Sequence, residues 1–449
     1  MSQTRELAEF LVGLSSRVED RLLAIATDAV LDTVGAMVYG AEQSWTQAAH
    51  AHALATGGEG SSTVIGAGAS TTAAMAAFAN GCAGHAFELD DVHEEAISHP
   101  GAVVVPAALA LAEERGSSGR DLLEAVLIGY EAMGRAGIAV GPSSHMLGGF
   151  HPTSMSGVFG SAAAAARLLG FDADQLNHAF GVAVSLASGT MEFAASGGMA
   201  KRMHAGRAAE GGLLAAALVA NGFEGAADGL AGTYGFATVF TDAPQLHLLT
   251  EGLGERWMSD ELTTKPYAAC SDIHPMIQAA AELRTEHGFG GDDVVRIEAW
   301  GPTKAATQNS MDGTVSVMAA QYSAEFNIAA AILADPGDPD TYTPERIADP
   351  ALASLQAKVV SVESAPEFDE TYAWKMGGRL RIELADGRTL ERTVHGQKGS
   401  MHAPLSAAEL DAKFAKLVAG RVTDVNALAA AIRNLRNGAV TDLPTALAK

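Results

Sequence analysis

From Arg21 to about Phe240, apolar residues recur every three or four positions, the spacing of amphipathic helices. LLAIATDAVLDTVGAMVYG, AVVVPAALALAEERG and DLLEAVLIGYEAMGRAG carry this period most plainly. Gly116 and Gly170 stand where such helices would end, since glycine suits a helix C-terminus. Asp121, after Ser117-Ser118-Gly119, falls where a first-turn carboxylate favours the helix dipole. After roughly residue 262 the period changes. VVRIEAW (294–300) and VVSVES (359–364) alternate as strands, while RLRIEL, Ala385-Asp386-Gly387 and RTLERTV predict a hairpin turning at Asp-Gly. A helix is expected near Ser323 to Leu333, and Ser406 to Arg436 returns to helical spacing. The chain thus reads as mainly α with an α+β part: a helical domain over 1–262, an α+β domain over 263–399, and C-terminal helices over 400–449 that return to the helical domain.

Length and composition support that division. At 449 residues the chain exceeds what one core usually serves, and its 48% hydrophobic and 18% charged residues give a globular balance. Abundant alanine and glycine with 6% aromatics favour closely packed helices. The net charge of −24 repels nucleic acid and anionic membranes, so neither is an expected partner. Any acidic substrate would need a local cationic pocket. Cys82 and Cys270 are too few for a disulfide scaffold or an all-cysteine cluster. MSQTRELAEFLVGL lacks a signal-peptide apolar region, and no run of about 18 uninterrupted apolar residues occurs, so the expected address is the cytoplasm.

Candidate chemistry gathers in four segments. HAFELDDVHEEAISHPG (85–101) holds His85, Glu88, Asp90, Asp91, His93, Glu94, Glu95 and His99. A metal site is one reading, but the spacing of His93-Glu94 and His99 is not HExxH, and a solvated acidic loop explains the segment taken alone. Gly149-Phe150-His151-Pro152-Thr153 precedes a Gly/Ala-rich helix, placing His151 near the positive end of its dipole. GGMAKRMHAGRAAEGG (197–212) clusters Lys201, Arg202, His204 and Arg207, and TTKPYAACSDIHP (263–275) adds Lys265, Tyr267 and His274.

These stretches, with VIGAGASTTAAMAAFANGCAGHAFELDD and the tail PLSAAELDAKFAKLV, resemble the MmgE/PrpD family over essentially the whole chain. The resemblance implies a large helical domain with a smaller α+β lid, a homodimer and no cofactor; the two-cysteine count and the missing HExxH lead us to expect no metal. The resemblance also implies an enzyme of the kind that dehydrates 2-methylcitrate, decarboxylates cis-aconitate or epimerises iminodisuccinate. Carried over, the active-site histidines are His99 and His151, and the pocket lysines are Lys201 and Lys265. Three motifs depart from the family: in the acidic run Phe87-Glu88-Leu89-Asp90-Asp91 a glutamate stands where an aspartate is usual, a conservative change, and two others bear on the substrate. Ser323 is followed three residues later by Phe326, where decarboxylating members have tyrosine, and His99-Pro100-Gly101-Ala102 stands where 2-methylcitrate dehydratases show HPSDN. These last two departures lead us to expect another polycarboxylate of similar size as the better substrate.

The shared chemical problem is moving a proton at a carbon beside a carboxylate, or quenching an equivalent carbanion. Without metal, cations and hydrogen-bond donors must stabilise the charge. The expected roles are His99 as main acid/base, His151 as its partner, and Lys201 and Lys265 as carboxylate anchors helped by Arg202 or His204. Asp90 or Asp91 would orient the imidazole, with Glu88 and Tyr267 lining the site, which is expected under the lid. A lyase is the leading expectation and an epimerase the alternative; an inactive helical binding protein is the non-enzymatic rival. A nucleotide-binding enzyme fits poorly, because Gly66-Ala67-Gly68 lacks the third glycine and βαβ setting of GxGxxG. GxSxG is absent as well.

Overall fold

The computed structural model describes residues 2–14, 18–141, 149–193, 198–310, 316–372 and 374–447. The chain forms two compact units, one of residues 1–262 with 407–449 and one of residues 263–406. The fold is mainly α, with a smaller share of strand.

The larger unit contains helices α1 (Gln3–Gly13), α2 (Asp20–Gly40), α3 (Ser44–Thr56), α4 (Ala73–Gly84), α5 (Gly101–Arg115), α6 (Gly119–Val140), α7 (Pro152–Leu169), α8 (Ala173–Ala183) and α9 (Ala200–Ala220). Gly116 ends α5 and Gly170 ends α7, both in the left-handed conformation. Ser118 and Asp121 form a reciprocal capping box at the start of α6. By length and composition α2 is apolar enough to cross a membrane, but 83% of its most apolar window is buried inside the protein, as in a core helix. A short hairpin, β1 (Ser62–Val64) and β2 (Ala69–Thr71), interrupts the stretch that the pattern reads as helical. Its three-residue strands are too short to show alternation, and Gly66 and Gly68 take the positive φ that turns the chain between them.

Small residues let these helices approach at backbone distance. A Cβ added to Gly81 of α4 would lie 2.8 Å from the Gly206 Cα of α9, and one on Gly206 would lie 2.3 Å from the Phe78 carbonyl oxygen. This crossing draws the C-terminal end of α4 towards the first turns of α9, the two places where polar residues collect.

The smaller unit carries a four-stranded sheet of β3 (Val294–Gly301), β4 (Val359–Ser364), β5 (Gly378–Leu384) and β6 (Thr389–Val394), in the order β4-β3-β5-β6. β3 and β4 run parallel and the other pairs antiparallel. The Asp-Gly turn forms between β5 and β6, with Gly387 at φ 90°. Leu380, Ile382 and Leu384 point inward at alternate positions, where α10 (His274–His287) packs on β5 and β6. α11 (Ala324–Leu333), capped by Ser323, packs on α10. The C-terminal helix α12 (Ala407–Val418) belongs to the larger unit and lies against α2.

Candidate active site

Four segments of the larger unit end at one buried polar cluster. His85 caps the C-terminus of α4, His99 directly precedes the Pro100 that caps α5, His151 caps the N-terminus of α7, and Lys201, Arg202 and His204 lie in the first turns of α9. Of the segment 197–212, Gly197 lies outside the described residues. Ring centroids are 4.9 Å apart for His85 and His99, 5.5 Å for His85 and His151, and 5.1 Å for His151 and His204.

One carboxylate oxygen serves two rings. Asp90 Oδ2 lies 2.6 Å from His85 Nδ1 and 3.2 Å from His99 Nδ1. Burial alone would lift the Asp90 carboxyl, but His99 and His85 hold it well below the usual carboxylate range. Burial pushes the His85 imidazole down to about 3 in spite of Asp90. The Asp90–His85 contact is therefore a carboxylate accepting from a neutral ring. His99 Nδ1 also lies 2.8 Å from the backbone carbonyl of Asp91. A carbonyl oxygen only accepts, so Nδ1 carries a proton and Nε2 is the atom at which this ring gains or loses one.

The two aspartates thus divide the work. Asp90 contacts His99 through its carboxylate and Asp91 through its main chain. The Asp91 carboxyl instead accepts from Tyr130 Oη at 2.7 Å and from the Gly101 N–H at 2.8 Å, and burial pushes it up to about 7.

Lys201 and Arg202 sit at the positive end of the α9 dipole, an unfavourable place for cations. Both pair with buried Glu88, Arg202 Nη1 at 2.7 Å from Oε1 and Lys201 through the same oxygen. Glu88 is one of two described non-glycine residues with positive φ, at 57°. Glu88 therefore offsets part of the positive charge that Lys201 and Arg202 bring to the cluster. His151 Nδ1 lies 3.1 Å from His204 Nδ1, so one ring donates and the other accepts. Burial, followed by the neighbouring His85 and Lys201, holds His151 well below its ordinary value, and burial with Lys201 also lowers His204. Such a pair is neutral at pH 7.

The structure brings together His99, His151, Lys201, Arg202, His204, Glu88, Asp90 and Asp91 of the sequence-derived candidates. Lys265 and Tyr267 lie in the smaller unit, Lys265 buried and the Tyr267 ring 5.1 Å from that of His274. Phe326 is buried in α11 with its ring 5.8 Å from that of Tyr342. Sequence reasoning left His85 and Tyr130 out of the site. His85 lies five residues before its partner Asp90, a cue that was available in the segment, whereas Tyr130 comes from α6 and carries no local signal. His85, Asp90 and His99 also bring three ligand atoms within 4.8 Å of one another, a grouping that could hold a small divalent ion only if the rings gave up their contacts with Asp90.

A helical unit ending in a histidine–carboxylate cluster, joined to an α+β unit, defines a class that the comparisons identify. Residues 5–249 match the MmgE/PrpD N-terminal domain and residues 267–437 the MmgE/PrpD C-terminal domain. The chain belongs to the MmgE/PrpD family. It is 29% identical over 444 residues to a cis-aconitate decarboxylase of Aspergillus terreus, covering 94% of this chain and 90% of that one. It is 30% identical over 431 residues to the cis-aconitate decarboxylase of Homo sapiens, covering 92% and 87%.

Proposed function

We propose that this protein is a lyase that removes CO2 or water from a small di- or tricarboxylic acid, with His99 as its acid/base. The observation that carries this reading is the clamp on His99 Nδ1 by the Asp90 carboxylate and the Asp91 carbonyl. The clamp fixes the ring's tautomer and aims the chemistry at Nε2. When a β,γ-unsaturated carboxylate loses CO2, the electron pair left behind is conjugated with a remaining carboxylate and must be quenched by a proton at carbon. Nε2 delivers that proton, and neutral His151 and His204 supply hydrogen bonds without adding charge. Lys201 and Arg202 lie beside the cluster, where a substrate carboxylate shares or takes the place that Glu88 holds. No metal or organic cofactor is assigned to the reaction.

Two observations pull on the substrate in opposite directions. Relatives named as cis-aconitate decarboxylases favour cis-aconitate, while Phe326 offers no hydroxyl where decarboxylating members have tyrosine. Incubation in deuterated water with citrate, 2-methylcitrate, cis-aconitate, iminodisuccinate and related dicarboxylates, followed by proton NMR, separates the outcomes. Methylene alkene signals with deuterium at the neighbouring carbon mark decarboxylation, an alkene formed with loss of hydroxyl marks dehydration, and deuterium uptake with inversion marks an epimerase. Binding without exchange across the panel would leave a binding protein and end the lyase reading. Prior chelation should leave the rates unchanged; loss restored by one divalent ion would assign the His85–Asp90–His99 trio to a metal.

A further inference from the structure

The 88–91 loop carries both partners of His99, yet its own support comes from the far end of the chain. Lys413, on α12, places Nζ 2.6 Å from Asp32 Oδ1 and 2.8 Å from the backbone carbonyl of Leu89. Lys413 and Asp32 are both largely buried, with side chains 9% and 3% exposed. The Leu89 carbonyl belongs to the peptide group that joins Leu89 to Asp90. On one side of that peptide is Glu88 in a left-handed conformation, which a residue with a Cβ adopts only when its surroundings enforce it. On the other is the carboxylate shared by His85 and His99.

An ion pair built only for stability is poorly placed here. Removing two charges from water costs about as much as their attraction returns. Asp32 Oδ2 has no hydrogen-bond partner among the described residues, and burial lifts the Asp32 carboxyl against the pull of Lys413. The pair does, however, hold one ammonium where it can grip one particular carbonyl.

We propose that Lys413 is a positioning residue for the catalytic histidine: by gripping the Leu89 carbonyl it sets the Asp90 carboxylate against His99 Nδ1. Asp32 of α2 holds the ammonium in place. This inference rests on the reading of His99 as acid/base. It makes α12 part of the active-site apparatus, although α12 contributes no residue to the cluster of histidines.

The test uses the full-length protein labelled with 15N-histidine. Ring N–H resonances of His85 and His99 are assigned by loss in His85→Gln and His99→Gln. The double variant Asp32→Asn/Lys413→Met removes the ion pair without stranding a buried carboxylate, and it frees Leu89. The His99 Nδ1–H resonance should shift or exchange away, and kcat should fall about tenfold or more while KM changes by less than about threefold. Lys413→Arg keeps the charge and the Asp32 pairing, but its planar guanidinium cannot set one nitrogen on both acceptors in the same way. It should show the same two changes at smaller size, and it decides the matter by the same readouts if the double variant does not fold. A lowered melting temperature with the His99 resonance and kcat unchanged would make Lys413 a purely structural clamp and overturn the proposal. If the wild type turns over no carboxylate, the lyase reading fails, and the resonance of His99 still decides whether Lys413 positions it.

Discussion

Asp90 Oδ2 lies 3.2 Å from His99 Nδ1 while the same oxygen lies 2.6 Å from His85 Nδ1. A single anion therefore orients two rings that reach it from opposite ends of the 85–99 segment. Asp90→Asn keeps the shape and removes the charge, and an amide can turn its NH2 towards a ring N–H that needs an acceptor. We expect kcat/KM to fall by about 10²- to 10⁴-fold, the range that general acid–base help spans, with the circular dichroism unchanged. Activity within about threefold of wild type would remove Asp90 from the mechanism.

Asp91 predicts a pH dependence of stability with a definite sign. Folding raises its carboxyl from the ordinary 3.8 to about 7, chiefly by burial. Between those values the folded state holds a proton that the unfolded state has lost. The stability Asp91 contributes is therefore full below 3.8 and is lost as pH rises through about 7. Asp91→Asn has no such loss. Denaturant unfolding of both proteins across this range should show the stability of wild type minus that of Asp91→Asn falling as pH rises. His85, whose shift has the opposite sign, is common to both proteins and cancels. A flat difference would show that Asp91 is ionised throughout.

Gly101 bears on the departure from HPSDN. A Cβ there would lie 2.5 Å from Thr33 Oγ1 and 2.7 Å from Asp91 Oδ1, in a site where Asp91 is already tied to Tyr130. Gly101→Ser should cost about 1–3 kcal/mol of stability through overpacking, and it should lower kcat by displacing Asp91. Melting temperature and kcat together check this. Both unchanged would mean that Thr33 turns aside and that the serine of the dehydratases fits this site equally well.

Glu88 pairs with Lys201 and Arg202, the cations that the proposed function offers to a substrate carboxylate. Glu88→Gln removes the buried anion with which both Lys201 and Arg202 pair, and breaking a buried pair in this way costs about 3–5 kcal/mol. The melting temperature should drop. If substrate carboxylates bind here, a saturating polycarboxylate should then raise it by more in Glu88→Gln than in wild type, because the ligand supplies the missing anion. An equal rise in both proteins would place the carboxylate site elsewhere.

Much of the fold was readable along the chain. The 3.6-residue period located α2, α5 and α6, and alternation located β3, β4 and the hairpin at Asp386-Gly387. These patterns are local, because which face of an element meets the core is written into its own residues. The hairpin at 62–71 escaped because two three-residue strands hold too few positions to display a period.

The site divides along the same physical line. Residue type and order alone nominated His99, His151, Lys201, Glu88, Asp90 and Asp91, since histidines and cations beside glycines, together with the family pattern, are properties of the string. Only the tertiary structure decided how they are paired. It gave the Asp90 carboxylate to two histidines, the Asp91 carbonyl to His99 and its carboxyl to Tyr130, and Glu88 to the lysine expected to await substrate. It also brought Lys413 to the Leu89 carbonyl across more than three hundred residues of sequence. A hydrogen bond depends on distances of a few tenths of an ångström and on which atom points where. Those quantities are set by how α2, α4, α5, α6, α7, α9 and α12 pack against one another, and no single segment of the chain contains them.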